Sequence, residues 1–323
     1  MEWKTRVTEL LGCKYPILQG AFAGFGNWQF AAAAAEAGAH GIITASTSRT
    51  PEQLREDIRR CRDATDGSIG VNLTIGPTSL QAEEMLEVCI EEGVQVETAA
   101  YKPDSLAPRI KEAGLKWVHK TARVKDALHA ERLGADAVIV VGLEGTGFKN
   151  PEQLPTMTTT IWGTRVLKVP FIAAGGIGDA HGFLGALGMG ADGIMMGTAF
   201  MATKECSIND AAKEAMVEAR PDYPPLRHRV LGSVDPQAYD EVMKLRDKVP
   251  FNEWMQMLER VNLKDPNWRG TSGSTPDTLD PRLRMVSLAV GVIDRVPTVK
   301  EFIDSIIREA EEILDSWQFL KTR

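Results

Sequence analysis

The sequence predicts a (β/α)8 TIM barrel followed by a mostly helical C-terminal extension. Over the first 220 residues a short apolar run alternates eight times with a longer amphipathic segment. The short runs are apolar throughout, as expected of parallel strands that are buried on both faces. Eight such units in about 200 residues are typical of this barrel. A doubly wound open sheet is the structural alternative, but it rarely needs eight consecutive units.

The strand candidates are short and rich in aliphatic or β-branched residues. In chain order they are PILQG (16–20), GIITA (41–45), GVNLT (70–74), VQVETAAY (94–101), KWVHKTA (116–122), DAVIVVG (136–142), PFIAAGG (170–176) and GIMMGTAF (193–200). The helix candidates that follow them cover 27–39, 51–65, 79–93, 105–114, 124–135, 156–167, 179–191 and 208–219. Several open with Pro, Ser, Asp or Asn and close on Gly, as helix starts and stops should.

After about residue 220 the alternation ends. A proline-rich basic segment, RPDYPPLRHRVLG, precedes a helix candidate over 235–261 that is interrupted at Pro250. A polar loop, NWRGTSGSTPDTLDPR, separates it from a last helix candidate over 297–317, which opens with proline and has apolar residues at helical spacing. We therefore predict a ligand-binding TIM barrel over 1–220 and a helical extension over 221–323 that packs on the barrel mouth.

Composition narrows the class of protein. The chain has 323 residues and a formal net charge of −7, which argues against a nucleic-acid or anionic membrane surface. No apolar run reaches the length of a membrane span, and the charged amino terminus contains no apolar signal segment. The cysteines, Cys13, Cys61, Cys89 and Cys206, show no metal-site spacing. We expect a cytoplasmic protein without a metal that acts on a small molecule.

Two glycine motifs mark a candidate phosphate site. In such barrels ligands bind at the carboxyl ends of the strands, and a phosphate commonly lies at the loops after strands 7 and 8. Those loops contain Gly175–Gly176, within AAGGIGD, and Gly197–Thr198, within MMGTAF. Glycines leave backbone N–H groups uncovered, a helix N-terminus favours an anion, and the Thr198 hydroxyl adds a donor. The two motifs together predict a phosphorylated ligand, although glycines also make tight strand-to-helix turns.

Polar residues lie near the ends of other strands: Gln19, Asn72, Thr98 and the pair His119–Lys120. Because side chains alternate along a strand, one of His119 and Lys120 faces the barrel interior. A lysine in a barrel mouth is unfavourable unless it meets an anion, so we predict that Lys120 binds a negatively charged group. The alternative is a surface lysine at a strand end.

Several long motifs occur in the order typical of one enzyme family. They are TRVTELLGCKYPILQGAFAG, GVNLT, WVHKTARVKDALHAERLGADAV, AAGGIGD and GADGIMMGTAFMATKEC. With them the chain resembles the FMN-dependent nitronate monooxygenase (2-nitropropane dioxygenase-like) family from about residue 5 to 210, and more loosely to VSLAVGVIDRVPTVKEFI. It looks closest to the branch of bacterial NAD(P)H:quinone reductases. The same superfamily includes flavin-dependent enoyl-ACP reductases and steroid-ring CoA-thioester oxidoreductases.

The resemblance implies an FMN site. Gly20, Ala21 and Phe22 would lie against the flavin ring, with Phe22 where the family usually has methionine. Asn72 would bond the pyrimidine edge, and Lys120 would lie near the negative charge that collects at N1 and O2 of reduced flavin. The other residues assigned to the cofactor are Thr146, Gly147, Ala174, Gly175, Gly176, Gly197 and Thr198, of which Gly175, Gly176, Gly197 and Thr198 would hold its phosphate.

The loop after strand 6 departs from the family pattern. The family typically has G-x-E-x-x-G-H-x-G there, and its histidine can serve as a base; residues 142–150 read GLEGTGFKN, with Phe148 at the histidine position. Phenylalanine neither takes a proton nor donates a hydrogen bond. Hydride transfer mainly requires that the reactant be stacked on the flavin and correctly oriented. We therefore interpret this segment as a binding loop that lacks the family base. Glu144 either braces the loop or takes part in catalysis.

No catalytic residue is assigned from the sequence; the candidates are Lys120 and His228. His228 lies in a basic RHR run over 227–229 that suits an acidic or CoA-bearing substrate, although such runs are usually solvated surface. We expect His40, His129 and His181 to be structural or exposed. Cys206 is expected to be buried rather than reactive.

Three functional hypotheses remain. The first is an FMN oxidoreductase that passes hydride from NAD(P)H, bound transiently, to a quinone or other conjugated acceptor, or that oxidises nitronates with oxygen. The second is a flavin oxidoreductase that acts on acyl-CoA or acyl-ACP thioesters. The third is a non-redox barrel that binds a phosphorylated ligand. A homodimer through the apolar C-terminal helix is a further expectation.

Overall fold

The computed structural model describes residues 1–22, 24–75, 82–99, 103–146, 154–231, 241–246, 248–263 and 279–317. Eight parallel strands form one sheet with the order β1-β8-β7-β6-β5-β4-β3-β2. The strands are Ile17–Gln19 (β1), Gly41–Thr44 (β2), Ile69–Thr74 (β3), Gln95–Ala99 (β4), Trp117–Thr121 (β5), Ala137–Val141 (β6), Phe171–Ala174 (β7) and Gly193–Met196 (β8).

The two outer strands of this order, β1 and β2, meet and close the sheet into a barrel. A parallel bridge joins Leu18 to His40. There the backbone N–H of Gln19 donates to the His40 carbonyl at 3.0 Å, and the His40 N–H donates to the Ile17 carbonyl at 2.9 Å. The predicted (β/α)8 TIM barrel is confirmed.

Helices alternate with the strands, and local sequence signals explain where they begin. The side chains of Asn27, Thr50 and Asp179 each accept a hydrogen bond from the backbone N–H three residues later, which caps a helix. The helices up to residue 218 are Arg6–Leu11, Trp28–Glu36, Ala45–Ser48, Pro51–Ala64, Ala82–Glu92, Ala107–Glu112, Val124–Arg132, Thr156–Val166, Ala180–Gly188, Thr198–Met201 and Asp210–Glu218. The apolar faces of these helices cover the outer side of the barrel strands.

Strand 8 is shorter than the sequence predicted. The pattern over 193–200 predicted one strand, but β8 ends at Met196 and a helical turn begins at Thr198. The physical reason is Gly197, whose φ of −101° and ψ of −78° take the chain out of the extended conformation. Thr198 therefore begins a helix at the carboxyl end of the barrel instead of ending a strand.

The barrel interior has its own apolar core, and a helix closes its amino-terminal end. Leu18, Ile42 and Ile139 belong to this inner cluster together with Leu11 of the helix Arg6–Leu11. The Leu11 carbonyl accepts hydrogen bonds from side chains at the starts of β3 and β4, Ser68 at 2.6 Å and Gln95 at 3.0 Å. The helix Arg6–Leu11 therefore fills the amino-terminal end of the barrel among the residues that the structure describes.

The C-terminal helix Val299–Ser316 packs against the helices Trp28–Glu36 and Ala180–Gly188, which follow β1 and β7. Its buried residues recur at helical spacing: Val299, Phe302, Ile303, Ile306, Ile307 and Ala310. Thr298 and Glu301 form a capping box at its start. This helix therefore occupies the eighth place in the outer ring, although it lies within the predicted extension 221–323. The division of the chain at residue 220 stays a prediction.

The C-terminal segment contains further helical elements among its described residues. It contains the helices Pro224–Leu231 and Phe251–Leu263 and a 3-10 turn over Leu288–Val292. The turn contacts the barrel mouth, because the backbone N–H of Leu288 donates to the Glu144 carbonyl at 3.1 Å. Within the described ranges no helix combines the length and the apolar character needed to cross a membrane.

Candidate active site

A cavity of about 340 Å³ opens at the carboxyl ends of the barrel strands. Its lining combines residues from the strand ends and the loops after them with residues of the C-terminal segment. The described lining residues are Gly20, Ala21, Phe22, Thr44, Asn72, Thr74, Ala99, Lys120, Val141, Gly145, Thr146, Ala174, Gly175, Gly176, Ile177, Met195, Gly197, Thr198, Arg229, Met285 and Ser287. The structure thus brings to one cavity every described residue that the sequence assigned to the cofactor.

Gly175, Gly176 and Gly197 form what we call the glycine cradle. Gly175 and Gly176 have φ values of +110° and +72°, which side chains rarely allow. A Cβ on Gly175 would lie 2.8 Å from Thr156 Oγ1, and one on Gly176 would lie 3.0 Å from Glu144 Cβ. Both positions therefore require glycine. The cradle presents backbone without side chains to the cavity, the arrangement that suits an anion.

Thr198 completes the cradle together with Ser287, which the sequence did not single out. Thr198 Oγ1 accepts hydrogen bonds from the backbone N–H and from the hydroxyl of Ser287, both at 2.9 Å. Both groups are buried. Since its oxygen accepts twice, the Thr198 hydroxyl is oriented to donate its own proton to a third partner. No local motif could have revealed this role of Ser287, because Ser287 is separated from Thr198 by 89 residues along the chain.

Glu144 braces the loop after β6. Its Oε2 accepts hydrogen bonds from the backbone N–H and the hydroxyl of Thr156, each at 2.8 Å. Thr156 begins the helix Thr156–Val166, and its hydroxyl oxygen also lies 2.9 Å from the Gly175 carbonyl oxygen. The carboxylate therefore ties the strand-6 loop to the cradle and is not among the described lining residues. Thr146, from the same loop, does line the cavity.

Asn72, Glu97 and Lys120 form what we call the charged cluster, at the ends of β3, β4 and β5. Glu97 Oε1 accepts hydrogen bonds from Asn72 Nδ2 at 2.7 Å and from Lys120 Nζ at 2.8 Å. The side chains of Glu97 and Lys120 are only 3% and 11% exposed. Thr74 donates its hydroxyl to Asn72 Oδ1 at 2.9 Å, so the amide is held from both ends.

The sequence did not single out Glu97, although one signal was available. An acidic residue inside an otherwise apolar strand needs a buried partner of opposite charge. A basic residue on the adjacent strand could be that partner. Lys120 was that residue, but the pair becomes visible only when β4 and β5 are aligned with Ala99 opposite Lys120. Glu97 places a negative charge against Lys120, and this was not expected.

Lys120 lines the cavity, whereas its neighbour His119 is buried on the opposite side of the strand. His119 Nδ1 lies 2.8 Å from the Thr98 hydroxyl, which also accepts a hydrogen bond from Trp117 Nε1 at 2.7 Å. Thr98 is therefore part of this outer network and does not line the cavity. Gln19 is fully buried beside β2, where its Oε1 accepts from the Ile42 N–H at 3.2 Å.

Gly20, Ala21 and Phe22 form the wall next to β1. A Cβ on Gly20 would lie 2.9 Å from the Met196 carbonyl, so this position cannot take a larger residue without a shift of backbone. The backbone N–H of Phe22 donates to the Thr44 hydroxyl at 3.0 Å. Its ring approaches Gly197, where a Cβ would meet it at 3.3 Å. Phe22 is therefore a packed part of the wall.

His40, His129, His181 and the cysteines are not among the described lining residues of this cavity. Burial lowers the pKa of His40 to about 3. Its Nδ1 forms a hydrogen bond with the Ser68 hydroxyl. His129 pairs with Asp104, and the His181 side chain is exposed. Cys206 is buried, and burial raises the pKa of its thiol. Among the described residues no group of His, Cys, Asp and Glu could hold a metal ion.

Three residues of interest lie outside the described part of the structure. They are Gly147, Phe148 and the side chain of His228. The interpretation of the strand-6 loop as lacking its base, and the candidacy of His228, therefore stay predictions.

One further cation lines the cavity. Arg229, on the helix Pro224–Leu231, donates from Nε to the Arg284 carbonyl at 2.8 Å. Burial and the charge of Arg284 lower the pKa of Arg229. With Lys120 it accounts for every titratable side chain among the described lining residues.

Fold and site together define a TIM barrel with a ligand cavity at the carboxyl ends of its strands, lined by glycine backbone on the β7–β8 side. The chain belongs to the nitronate monooxygenase family, whose model matches residues 4–309. The members of this family are flavin-dependent oxidoreductases, and the resemblance stated from the motifs is confirmed.

Relatives with different activities match the chain over much of its length. It is 31% identical to (3aS,4S,5R,7aS)-5-hydroxy-7a-methyl-1-oxo-octahydro-1H-indene-4-carboxyl-CoA dehydrogenase of Mycobacterium tuberculosis, over 96% of this chain and 97% of the relative. It is 28% identical to a probable nitronate monooxygenase of Staphylococcus aureus, over 67% of this chain and 73% of the relative. The structure of FabK from Thermotoga maritima superposes with a TM-score of 0.75 at 31% identity, over 98% and 99% of the two chains.

Proposed function

We propose that this protein is an FMN-dependent oxidoreductase that passes hydride from NAD(P)H to a quinone or another conjugated acceptor. The charge of the cavity supports this proposal: among its described lining residues only Lys120 and Arg229 are titratable, and both are cations. Two cations suit an anionic cofactor. No described lining residue is a histidine or carboxylate that could take a proton from a neutral nitroalkane. A nitronate, which is already deprotonated, would need no such base.

The residues present fit FMN. The glycine cradle has positions that a Cβ would fill or strain, and the Thr198 hydroxyl beside it is oriented to donate, as a phosphate site requires. At the other side of the cavity, Asn72 and Lys120 offer donors for the polar edge of a flavin ring. When bound, the flavin supplies the N5 atom that accepts and passes on hydride.

The charged cluster has a defined task in this proposal. Lys120 provides the positive charge next to which the reduced ring can hold negative charge. Glu97 keeps the Lys120 ammonium in place and balances part of its charge. Asn72 is held by Glu97 and Thr74, so its amide direction is set before a ligand arrives. A site that is organised in advance loses little free energy to reorganisation on binding.

The first experiment is an anaerobic titration of the purified, FMN-supplemented protein with NADH and then NADPH, followed by its visible spectrum. We expect a flavin absorption band that one of the two reductants bleaches, and recovery of the band when a quinone such as benzoquinone is added. A protein that takes up no FMN contradicts the proposal. A protein that retains FMN and is reduced by neither nucleotide nor substrate supports a non-redox ligand-binding barrel instead.

A second candidate is an oxidoreductase acting on acyl-CoA or acyl-ACP thioesters. It is favoured by Arg229 in the cavity lining and by the full-length similarity to a dehydrogenase of a carboxyl-CoA substrate. The same reduced protein distinguishes the two: reoxidation by an enoyl-CoA such as crotonyl-CoA, with no reoxidation by quinone, would favour the thioester. Reoxidation by quinone alone would favour the first candidate.

A further inference from the structure

Glu97 is buried beside two residues of the cavity lining, and one of its two carboxylate oxygens has no hydrogen-bond donor. Oε1 accepts from Asn72 Nδ2 and Lys120 Nζ, whereas Oε2 is buried without a partner among the described residues. An ionised carboxylate can only accept hydrogen bonds, and a buried acceptor without a donor is unfavourable. A proton at Oε2 would turn this oxygen into a donor.

A second buried acceptor without a donor belongs to the same face of β4. Gln95 is two residues before Glu97, and side chains two residues apart in a strand point to the same side. Gln95 Nε2 donates to the Leu11 carbonyl at 3.0 Å, and its Oε1 is buried without a partner among the described residues. A proton at Glu97 Oε2 would supply a donor where the strand now presents two acceptors.

The charges around Glu97 are balanced while the cavity is empty. Glu97 is paired with Lys120 at 2.8 Å, and their side chains are 3% and 11% exposed. The groups that β3 contributes, Asn72 and Thr74, are neutral. The inner cluster of the barrel is apolar, and Arg229 is the other charged residue in the described cavity lining. A further negative charge next to Lys120 would therefore place two anions around one ammonium.

We propose that Glu97 binds a proton at Oε2 when the flavin is reduced and releases it when the flavin is reoxidised. This inference rests on the proposed function, in which reduced flavin holds negative charge beside Lys120. A second anion nearby favours the neutral form of a buried carboxyl group. Protonation of Glu97 restores the balance, because the Lys120 ammonium then faces one anion. Glu97 is not among the described lining residues, so it acts through Lys120.

The proton balance of the proposed reaction agrees with such a site. Reduction of a quinone to a hydroquinone takes one hydride and one proton; NAD(P)H supplies the hydride, and water supplies the proton that Glu97 holds. Lys120 lines the cavity and can donate a proton to an oxygen of the acceptor. The Glu97 carboxyl, whose Oε1 lies 2.8 Å from Nζ, then returns a proton to the Lys120 amine. Both groups regain their starting charges.

The test is the pH dependence of the midpoint potential of the bound flavin, measured on holoenzyme reduced by dithionite with reference dyes. For a two-electron couple, each proton taken up lowers the potential by about 30 mV per tenfold fall in proton concentration. We expect the wild type to show the steeper dependence of two protons, one at the flavin N5 and one at Glu97. Glu97→Gln cannot bind the second proton and should show the shallower dependence of one.

Asp57→Asn is the matched control. Asp57 is also a buried carboxylate, but both of its oxygens have donors, Ser48 Oγ at 2.7 Å and Gln53 Nε2 at 2.9 Å. It lies in the helix Pro51–Ala64 and is not among the described lining residues. The same change of carboxylate to amide should therefore leave the steeper dependence intact. Flavin spectra and melting temperatures show whether each variant is folded.

A second measurement can be made on the wild type alone. The infrared difference spectrum between reduced and oxidised holoenzyme should contain the C=O stretch of a protonated carboxyl group, which shifts in D2O. If E97Q binds no flavin, this spectrum decides, and the absence of a carboxyl band overturns the proposal.

The potentials separate this proposal from the proposed function. The proposal is overturned if the wild type shows the shallower dependence, or if E97Q retains the steeper one, because the second proton would then lie on the flavin ring. Loss of the steeper dependence in D57N would overturn it as well. None of these results affects the proposed function, since dithionite replaces the nucleotide and no acceptor is needed. A protein that binds no flavin would instead contradict the proposed function.

Discussion

The charged cluster and the glycine cradle line different sides of one cavity, and they are built by opposite means. At the ends of β3–β5 the chain buries a carboxylate, an amide and an ammonium within hydrogen-bond distance of one another. At the ends of β7 and β8 it removes side chains and leaves backbone, with φ values that suit glycine. One side offers fixed charges, and the other offers backbone groups and a hydroxyl.

This difference determines how each side responds to mutation. The cluster depends on pairs of charges, so the loss of one member leaves the other buried and uncompensated. The cradle depends on space and backbone conformation, so the addition of one carbon atom is enough to disturb it. Stability and flavin binding should therefore be coupled at the cluster through electrostatics and at the cradle through sterics.

The largest expected effect is at the cluster. Glu97→Gln or Lys120→Met alone should each lower the free energy of unfolding of the apoprotein by about 3 kcal/mol, because each leaves a buried charge without its partner. The double variant E97Q/K120M should lose less than the sum of the two. Urea unfolding of the four proteins completes the double-mutant cycle. Additive losses would show that the 2.8 Å ion pair contributes no coupling.

A smaller effect is expected at the cradle. Gly175→Ala should destabilise the protein by about 2 kcal/mol, because a side chain at positive φ is strained and its Cβ would lie 3.0 Å from the Gly142 nitrogen. Its FMN affinity should fall while riboflavin affinity falls less, since the cradle is proposed to hold the phosphate. Gly185→Ala is the control.

Gly185 lies in the helix that begins behind the cradle, Ala180–Gly188, and a Cβ there would meet nothing within 4 Å. This substitution should stabilise the helix by about 0.5–1 kcal/mol and leave flavin binding unchanged. Thermal melts with and without FMN measure both variants. Equal changes of melting temperature in G175A and G185A would refute a steric role of the cradle.

The reduction potential of bound flavin should move in opposite directions in the two cluster variants. K120M removes a positive charge and should lower the midpoint potential, whereas E97Q removes the balancing negative charge and should raise it. We expect shifts on the order of 30 mV, equivalent to ~1.4 kcal/mol for two electrons. Titration against reference dyes measures the potential, and shifts of the same sign would contradict the placement of the flavin ring at this side.

The smallest expected effect is that of Ser287→Ala. This change removes one of the two hydrogen bonds that Thr198 Oγ1 accepts but leaves the backbone N–H of residue 287 in place. FMN affinity should fall about fivefold, equivalent to about 1 kcal/mol for one hydrogen bond. Thr198→Ala should weaken FMN further, since it removes the donor itself. Fluorescence titration would contradict this order if S287A were the weaker binder.

Most of the fold could be predicted because its signals are local. Each of the eight strands overlaps one of the apolar runs predicted to be strands. Helix caps such as Asn27 and Asp179 depend on residues only three positions away. The exception, the end of β8, depended on the conformation of a single residue, Gly197. Apolar content alone could not distinguish a strand from a short helical turn over 197–201.

Only those parts of the site whose signals are local in the sequence could be predicted. The cradle follows from glycines that are consecutive in sequence and from the known location of ligand sites in TIM barrels. Glu97, Ser287 and Arg229 depend on partners 23, 89 and 55 residues away along the chain. Their roles follow only from the register of β4 with β5 and from the path of the C-terminal segment over the mouth.

The sequence by itself determined the barrel, the family, the position of the cavity and the glycine backbone on its β7–β8 side, because strand periodicity and glycine conformation are properties of short segments. The tertiary structure alone decided that Lys120 is balanced by Glu97, that Thr198 is oriented by Ser287, and that Arg229 meets no acid among the described residues. Charge balance and hydrogen-bond direction depend on distances between atoms, and only the folded chain sets those distances.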